Sequence, residues 1–223
     1  CDGSTPSLPT KLKYIMETKY NRIFPTLVMQ AGNVLTNKEL DAINASIIKD
    51  ENEQVFSLNS NSKEAVQSEP FLHKQNAYKP LCKKILELNK KYLTDSNLVF
   101  EDLVITDMWS NILKKGQFHR PHTHSNNILS GVFYPKSDNN AKIYFLDPRP
   151  QAIVIQPKTR LGTQGNSSLM QYPSITNQLL IFPSWLQHYV EAVSGNETRH
   201  SVAWNVMLKG LVGDHHSFQS ATF

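Results

Sequence analysis

Between Gln117 and His124 the chain reads Gln-Phe-His-Arg-Pro-His-Thr-His, so three of its eight histidines fall within six residues. The runs on either side have the spacing of β-strands. Successive strand side chains point to opposite faces, so His122 and His124, two apart, share a face and can reach one ion together. His119 has odd spacing from both and should point elsewhere, shaping the mouth of a site from behind its ligands. Two protein ligands hold a metal poorly, and a third must come from a remote part of the chain. The candidate is His188, closing the run Phe182-Pro183-Ser184-Trp185-Leu186-Gln187-His188. The plainer alternative is that His122 and His124 bond to polar neighbours or lie exposed, and that His188 caps a turn.

Eleven residues after His188 begins Arg199-His200-Ser201-Val202-Ala203-Trp204-Asn205, in which Arg199, Ser201, Ala203 and Asn205 share one strand face. If that face is the inner one, Arg199 needs an anionic partner, because a buried unpaired charge is very costly. A carboxylate ligand would supply it through the guanidinium fork, with Ser201 adding a hydroxyl and Asn205 assisting. Asn111, Tyr134 and Tyr144 are further candidates to line the cavity. Arg149 is either projected outward as a substrate contact or paired with a neighbouring acid. Trp185 reads as core, and His215 and His216 as solvated.

These residues must be positioned by a scaffold. The 223 residues suit one domain with a large core. Residues 98–208 are short apolar runs separated by polar turns, with strands expected at 98–109, 120–124, 128–134, 142–147, 152–155, 178–182, 187–193 and 199–208. About eight such strands is the signature of a double-sheet jelly roll. The interruption at 156–177 is too long for a turn and reads as a lid or binding loop.

Upstream, residues 1–97 divide into a polar arm, an edge strand over Arg22 to Met29, and two supporting helices joined by a polar loop at 51–76. The first helix has a capping box at Thr36 and Glu39 and a stripe of Leu40, Ile43 and Ile47. The second runs from about Tyr78 to Leu93 and buries Leu81, Cys82, Ile85, Leu88 and Tyr92. The expected fold is mainly β, a double-stranded β-helix of jelly-roll or cupin-like form with two or more helices on one face. Residues 209–223 form a tail.

Composition narrows the class. A net charge of +4 without basic blocks indicates no obligatory nucleic acid, and no apolar run has the length of a membrane helix. Two cysteines, Cys1 and Cys82, do not make a disulfide framework, and a cytoplasmic location fits. The first residue is Cys1 rather than Met, and the polar segment after it does not suit a lipid anchor. Phosphate-loop, serine-elbow and Cys-x-x-Cys motifs are absent.

Taken together, the motifs resemble the iron(II)- and 2-oxoglutarate-dependent dioxygenase superfamily. More narrowly, His122-Thr123-His124, Leu129-Ser130-Gly131-Val132-Phe133-Tyr134, Phe145-Leu146-Asp147-Pro148-Arg149 and Phe182 to His188 are similar to a prolyl-hydroxylase-like 2OG-Fe(II) oxygenase branch of marine bacteria and their phages. The likeness spans about residues 100–208, with an echo at Ile23-Phe24-Pro25-Thr26. It implies His122, His124 and His188 as metal ligands and Arg199, Ser201 and Asn205 as the holders of 2-oxoglutarate. The chain departs from the wider pattern at His124, where an acid is usual, so a carboxylate such as Asp107 or Asp147, or else water, is an alternative third ligand, and zinc an alternative metal.

The implied cofactors are Fe(II), 2-oxoglutarate and O2, and the implied reaction hydroxylates an unactivated C–H bond with release of succinate and CO2. The partner would be a small-molecule or peptide substrate, with a second copy of the chain admitted as a homodimer. The cytoplasm would be that of the host if a phage encodes the chain. Two other classes compete: a cupin-like three-histidine enzyme without 2-oxoglutarate, and a non-catalytic jelly-roll binding or structural module.

Overall fold

The computed structural model describes residues 17–52, 65–139, 141–214, 216 and 218–223. Helix α1, Asn37–Asn52, begins at the expected capping box. Thr36 N–H donates to Glu39 Oε2 at 2.8 Å and Glu39 N–H to Thr36 Oγ1 at 3.4 Å, which occupies two donors that a helix start leaves unbonded. Leu40, Ile43 and Ile47 are buried on its inner face. Helix α2, Lys79–Asp95, tolerates Pro80 in its first turn, where an N–H would have no intrahelical partner, and buries Leu81, Ile85 and Tyr92.

Among the described residues twelve strands follow the chain order β1 Met29–Gly32, β2 Val66–Gln67, β3 Asp102–Leu113, β4 His119–His122, β5 Leu129–Lys136, β6 Ile143–Leu146, β7 Leu169–Tyr172, β8 Gln178–Pro183, β9 His188–Val190, β10 Arg199–Lys209, β11 Leu211–Val212 and β12 Ala221–Thr222. A six-stranded sheet has the order β1-β8-β5-β10-β3-β2, and a four-stranded sheet the order β4-β9-β6-β7. Every ladder pair among these strands is antiparallel.

The period of two divides each central strand between two apolar layers. Val202, Trp204 and Val206 of β10 and Leu179 and Ile181 of β8 pack toward the helices with Ile43, Ile47, Leu81 and Ile85. Val132 and Tyr134 of β5 and Leu180 and Phe182 of β8 instead pack with Ile143, Phe145 and Val190 of the smaller sheet. The second layer is the barrel interior. Arg199, Ser201 and Asn205 alternate with the helix-facing set on β10, and all three are buried.

Several expected strands are placed differently. Residues 22–28 are not strand, and β1 begins only at Met29. Residues 152–155 belong instead to the 3₁₀ turn Pro150–Ile153, entered through Pro150. The 156–177 loop contains β7, whose Leu169 and Met170 pair with Leu146 and Phe145. The first jelly-roll strand runs over Asp102–Leu113 rather than 98–109. Part of 51–76 is ordered as the end of α1, β2 and the turn Leu72–Lys74, while 53–64 lies outside the described residues. Trp185, expected in the core, is 56% exposed. His216 is exposed as expected, and His215 lies outside the described residues.

Cys82 is a free thiol on α2, half-buried as its helix face requires, and Cys1 lies outside the described residues. No helix among the described residues is long and apolar enough to cross a membrane.

Candidate active site

β4 and β9 run side by side at one edge of the small sheet, with His122 directly opposite His188. Between His119 and His122 the register shifts, because three steps on β4 span the two from His188 to Val190 on β9. Such an irregularity re-aims side chains. His122 thereby faces His188, while His124 lies beyond the strand end and is fixed by its own N–H donating to Ser184 O at 2.9 Å. The three imidazoles come together: each offers a ring nitrogen, and these atoms all lie within 4.8 Å of one another.

The backbone sets the ring orientations. His122 Nδ1 lies 2.7 Å from Arg120 O and His188 Nδ1 lies 2.9 Å from Leu186 O. A carbonyl only accepts, so each Nδ1 carries the proton and each Nε2 keeps its lone pair. His188 Nε2 and His124 Nε2 are 3.4 Å apart. Two imidazoles sharing one ion through bonds of about 2.1 Å would stand roughly 3 to 3.4 Å apart, so the spacing fits one metal. Burial lowers the pKa of His188 to about 3 and of His124 to about 4, which keeps both rings neutral and able to donate lone pairs. Phe182 and Phe145, with ring centroids 4.7 Å and 5.9 Å from that of His188, wall the site on its inner side.

Deeper in the interior Arg199 is 1% exposed. Its Nη1 donates to Ser201 Oγ at 3.2 Å, its guanidinium carbon stands 5.0 Å from the centre of the Tyr134 ring, and its Nε has no partner. The Tyr134 hydroxyl beside it is also buried without a hydrogen-bond partner. Among the described residues no carboxylate pairs with Arg199, and burial lowers its pKa. Buried donors with nothing to bond are costly, so this pocket calls for an anion.

His119 lies outside the three-ring group but close to it, its ring centroid 6.1 Å from that of His122. Its pKa is pushed down to about 3, first by burial and then by the charge of Arg199 and the neighbouring histidines. It is thus within electrostatic reach of both Arg199 and the three-ring group.

Other expected residues are placed elsewhere. Asp147 pairs with Arg149 through Nε and Nη2, at 2.9 Å and 2.8 Å, which removes both as free groups at the three histidines. Asn205 already has partners on both atoms of its amide. Its Oδ1 accepts from Ser130 and its Nδ2 donates to Asp107, and six strand steps place it about 20 Å along β10 from Arg199. Tyr144 stacks on Tyr189 and donates to Glu191 at 2.8 Å rather than lining the interior. Asn111 is buried on the inner face, accepting from Trp109 and Gln67. A cavity of about 500 Å³ lies between the β6 end and the 156–169 loop, lined by residues that include Asp147, Arg149, Gln156 and Asn166; none of the three histidines lines it.

Residues 107–205 match the family model described as "Putative 2OG-Fe(II) oxygenase". This segment is a 2OG-Fe(II) oxygenase domain. The oxygenase fold extends over most of the chain in solved structures that share it at low identity. The non-heme alpha ketoglutarate dependent epimerase SnoN from nogalamycin biosynthesis superposes with a TM-score of 0.63 at 11% identity, over 86% of this chain and 83% of that one. A Pseudomonas putida prolyl-4-hydroxylase gives 0.59 at 13%, over 82% and 93%. HygX from Streptomyces hygroscopicus, with nickel, 2-oxoglutarate and hygromycin B bound, gives 0.55 at 11%, over 82% and 83%. No curated protein matches the chain by sequence. The helices and β1 lie outside the 107–205 match, and their apolar residues pack against the back of the large sheet.

Proposed function

We propose that His122, His124 and His188 hold the Fe(II) of this oxygenase and that Arg199, Ser201 and the Tyr134 hydroxyl receive the far carboxylate of 2-oxoglutarate. The observation that carries the reading is the buried, acid-free guanidinium together with three converging imidazoles. Three nitrogen donors with open positions suit Fe(II), and they suit a dianionic chelator because they bring no negative charge of their own. HygX, which shares the fold, holds nickel and 2-oxoglutarate together.

When bound, the metal and 2-oxoglutarate supply oxidative decarboxylation to succinate and CO2 coupled to oxidation of an unactivated C–H bond. The protein's part is positioning. The carbonyls of Arg120 and Leu186 fix the faces of His122 and His188, and Phe145 and Phe182 keep water from the inner side. Arg199 sets how deep the co-substrate sits. The substrate is a peptide or protein side chain or a small metabolite, and the loop around β7 covers it. A three-histidine hydrolase or isomerase would have no use for Arg199, whose burial without an acid costs stability.

The test is anaerobic titration of the Fe(II)-loaded protein with 2-oxoglutarate, followed by admission of oxygen. A weak visible charge-transfer band should grow to one equivalent, and succinate should then form. No band and no succinate would reject the assignment.

A further inference from the structure

One charged group near the three histidines has no part in the proposed reaction. Asp107 lies half-buried at the inner end of the row Asp107, Trp109, Asn111 and Leu113 on β3. The β3–β10 register passes from Asn205 opposite Asp107 to Val206 opposite Ile105, so Thr106 is an extra, unpaired residue. That bulge frees the Thr106 hydroxyl, which lies 3.0 Å from Asp107 Oδ2 and 2.7 Å from Asn127 Oδ1.

The carboxylate is fastened on one side only. Asn205 Nδ2 donates to Oδ2 at 2.7 Å. Asn205 is held in turn through Oδ1 by Ser130 Oγ at 2.7 Å, and Ser184 Oγ stands 2.8 Å behind that. The backbone of the same Ser184 anchors His124, so one chain of hydrogen bonds ties the acid to the candidate metal ligand. Oδ1 accepts no hydrogen bond, and no Lys or Arg pairs with Asp107, among the described residues. An acid gripped through one oxygen and left open at the other is prepared for a partner from outside.

Beside it stands Trp109, half-buried on the same strand face. Its Nε1 donates to Asn111 Oδ1 at 3.2 Å, which fixes the indole, and its ring lies 5.8 Å from that of His124. Arg149 offers no competing charge, being neutralised by Asp147.

A fixed carboxylate with an open lone pair next to a fixed aromatic face is the combination that recognises a cationic nitrogen. We propose that Asp107 and Trp109 are the specificity wall of the site, seating an ammonium or guanidinium of the substrate so that a neighbouring C–H bond reaches the metal side of His124. The substrate class is therefore a basic side chain or a small amine. The inference rests on the oxygenase reading for its chemistry and on the wall alone for the charge of the substrate.

The experiment titrates the full, metal-free chain with Nα-acetyl-L-lysine methylamide and reads tryptophan fluorescence. The arginine, norleucine and glutamate methylamides are titrated in parallel. The lysine or arginine probe should bind about 10- to 100-fold more tightly than norleucine, the ratio expected of one charge-assisted hydrogen bond, and those two arms separate ammonium from guanidinium. Asp107→Asn should abolish the preference, Asp107→Glu should retain part of it, and Trp109→Phe should lose most of the signal and weaken the cationic probes.

Circular dichroism verifies the fold of each variant, and the Glu and Phe variants carry the test if the Asn variant does not fold. Equal binding of norleucine, tighter binding of glutamate, a preference that survives Asp107→Asn, or no saturable binding of any probe would overturn the proposal. Because the metal takes no part in this measurement, a failure to form succinate would count against the oxygenase assignment and not against the wall.

Discussion

At the scale of single residues, the site is built from groups that the interior would reject unless something bound them. Arg199 is the clearest case, and its removal should separate the two halves of the site. Arg199→Ala is expected to weaken 2-oxoglutarate by about 100-fold, since a charge-assisted bidentate contact contributes about 1.5 to 3 kcal/mol per bond, while the affinity for Co(II) stays within about twofold. Calorimetric titration of each ligand reads both, and an equal loss of both would refute the assignment.

The histidines carry a pH prediction of definite sign. Burial first, and then neighbouring positive charge, from Arg199 foremost at His119 and from the other histidines at His188 and His124, lowers the pKa values of His188 and His119 to about 3 and of His124 to about 4. The unfolded chain, with histidine pKa near ~6.5, binds more protons throughout the window between those values. Stability of the metal-free protein should thus be complete above about pH 6.5 and fall as the pH drops below it, by up to about 1.4 kcal/mol per pH unit for each such ring. Urea unfolding at pH 7.5 and pH 5 checks it, and greater stability at pH 5 would contradict the burial argument.

At the scale of elements, β5 shows how close packing places the site. Gly131 lies opposite Trp204 on β10, and a Cβ there would overlap the indole and stand 2.7 Å from the Leu180 carbonyl oxygen. Its neighbours Ser130 and Val132 face the barrel interior, so a shift of β5 would disturb the Ser130–Asn205 bond behind Asp107. Gly131→Ala should cost about 1 to 3 kcal/mol, measured as a lowered urea midpoint, because the central strand has no room to yield. The capping box at α1 is a milder case: Thr36→Ala removes one side-chain acceptor and should cost about 1 kcal/mol, with the site unaffected.

At the scale of the whole molecule, the two larger sheets and the two helices surround an interior that holds Arg199 and His188. A metal that binds only the folded chain adds stability by mass action, about 2.7 kcal/mol at a hundredfold excess over its dissociation constant. For a chain of this length that corresponds to a rise of roughly 5 to 11 °C in Tm. Co(II) should give such a rise and a chelator should reverse it. If the proposed assignment holds, 2-oxoglutarate should add a further increment only with the metal present, because the metal and Arg199 would hold its two ends. An equal increment without metal would place the co-substrate away from the three histidines.

The helices were legible from residue order alone, since a capping box and a 3.6-residue stripe are local signals, as Thr36, Glu39, Leu40, Ile43 and Ile47 show. The types of residue that could bind a metal and an acid were legible too, because His-Thr-His and Arg-His-Ser are unusual in strands and carry their chemistry in their side chains. What the order of residues could not determine is where strands slip. The irregularity between His119 and His122, the bulge at Thr106, and the strand β7 inside a polar loop depend on partners 20 or more residues away, whose pairing energy outweighs local preference. Tertiary pairing alone decided that Asn205 donates to Asp107, and that Tyr134 instead of Tyr144 lies beside Arg199, because one residue of register decides which face of a sheet a side chain occupies.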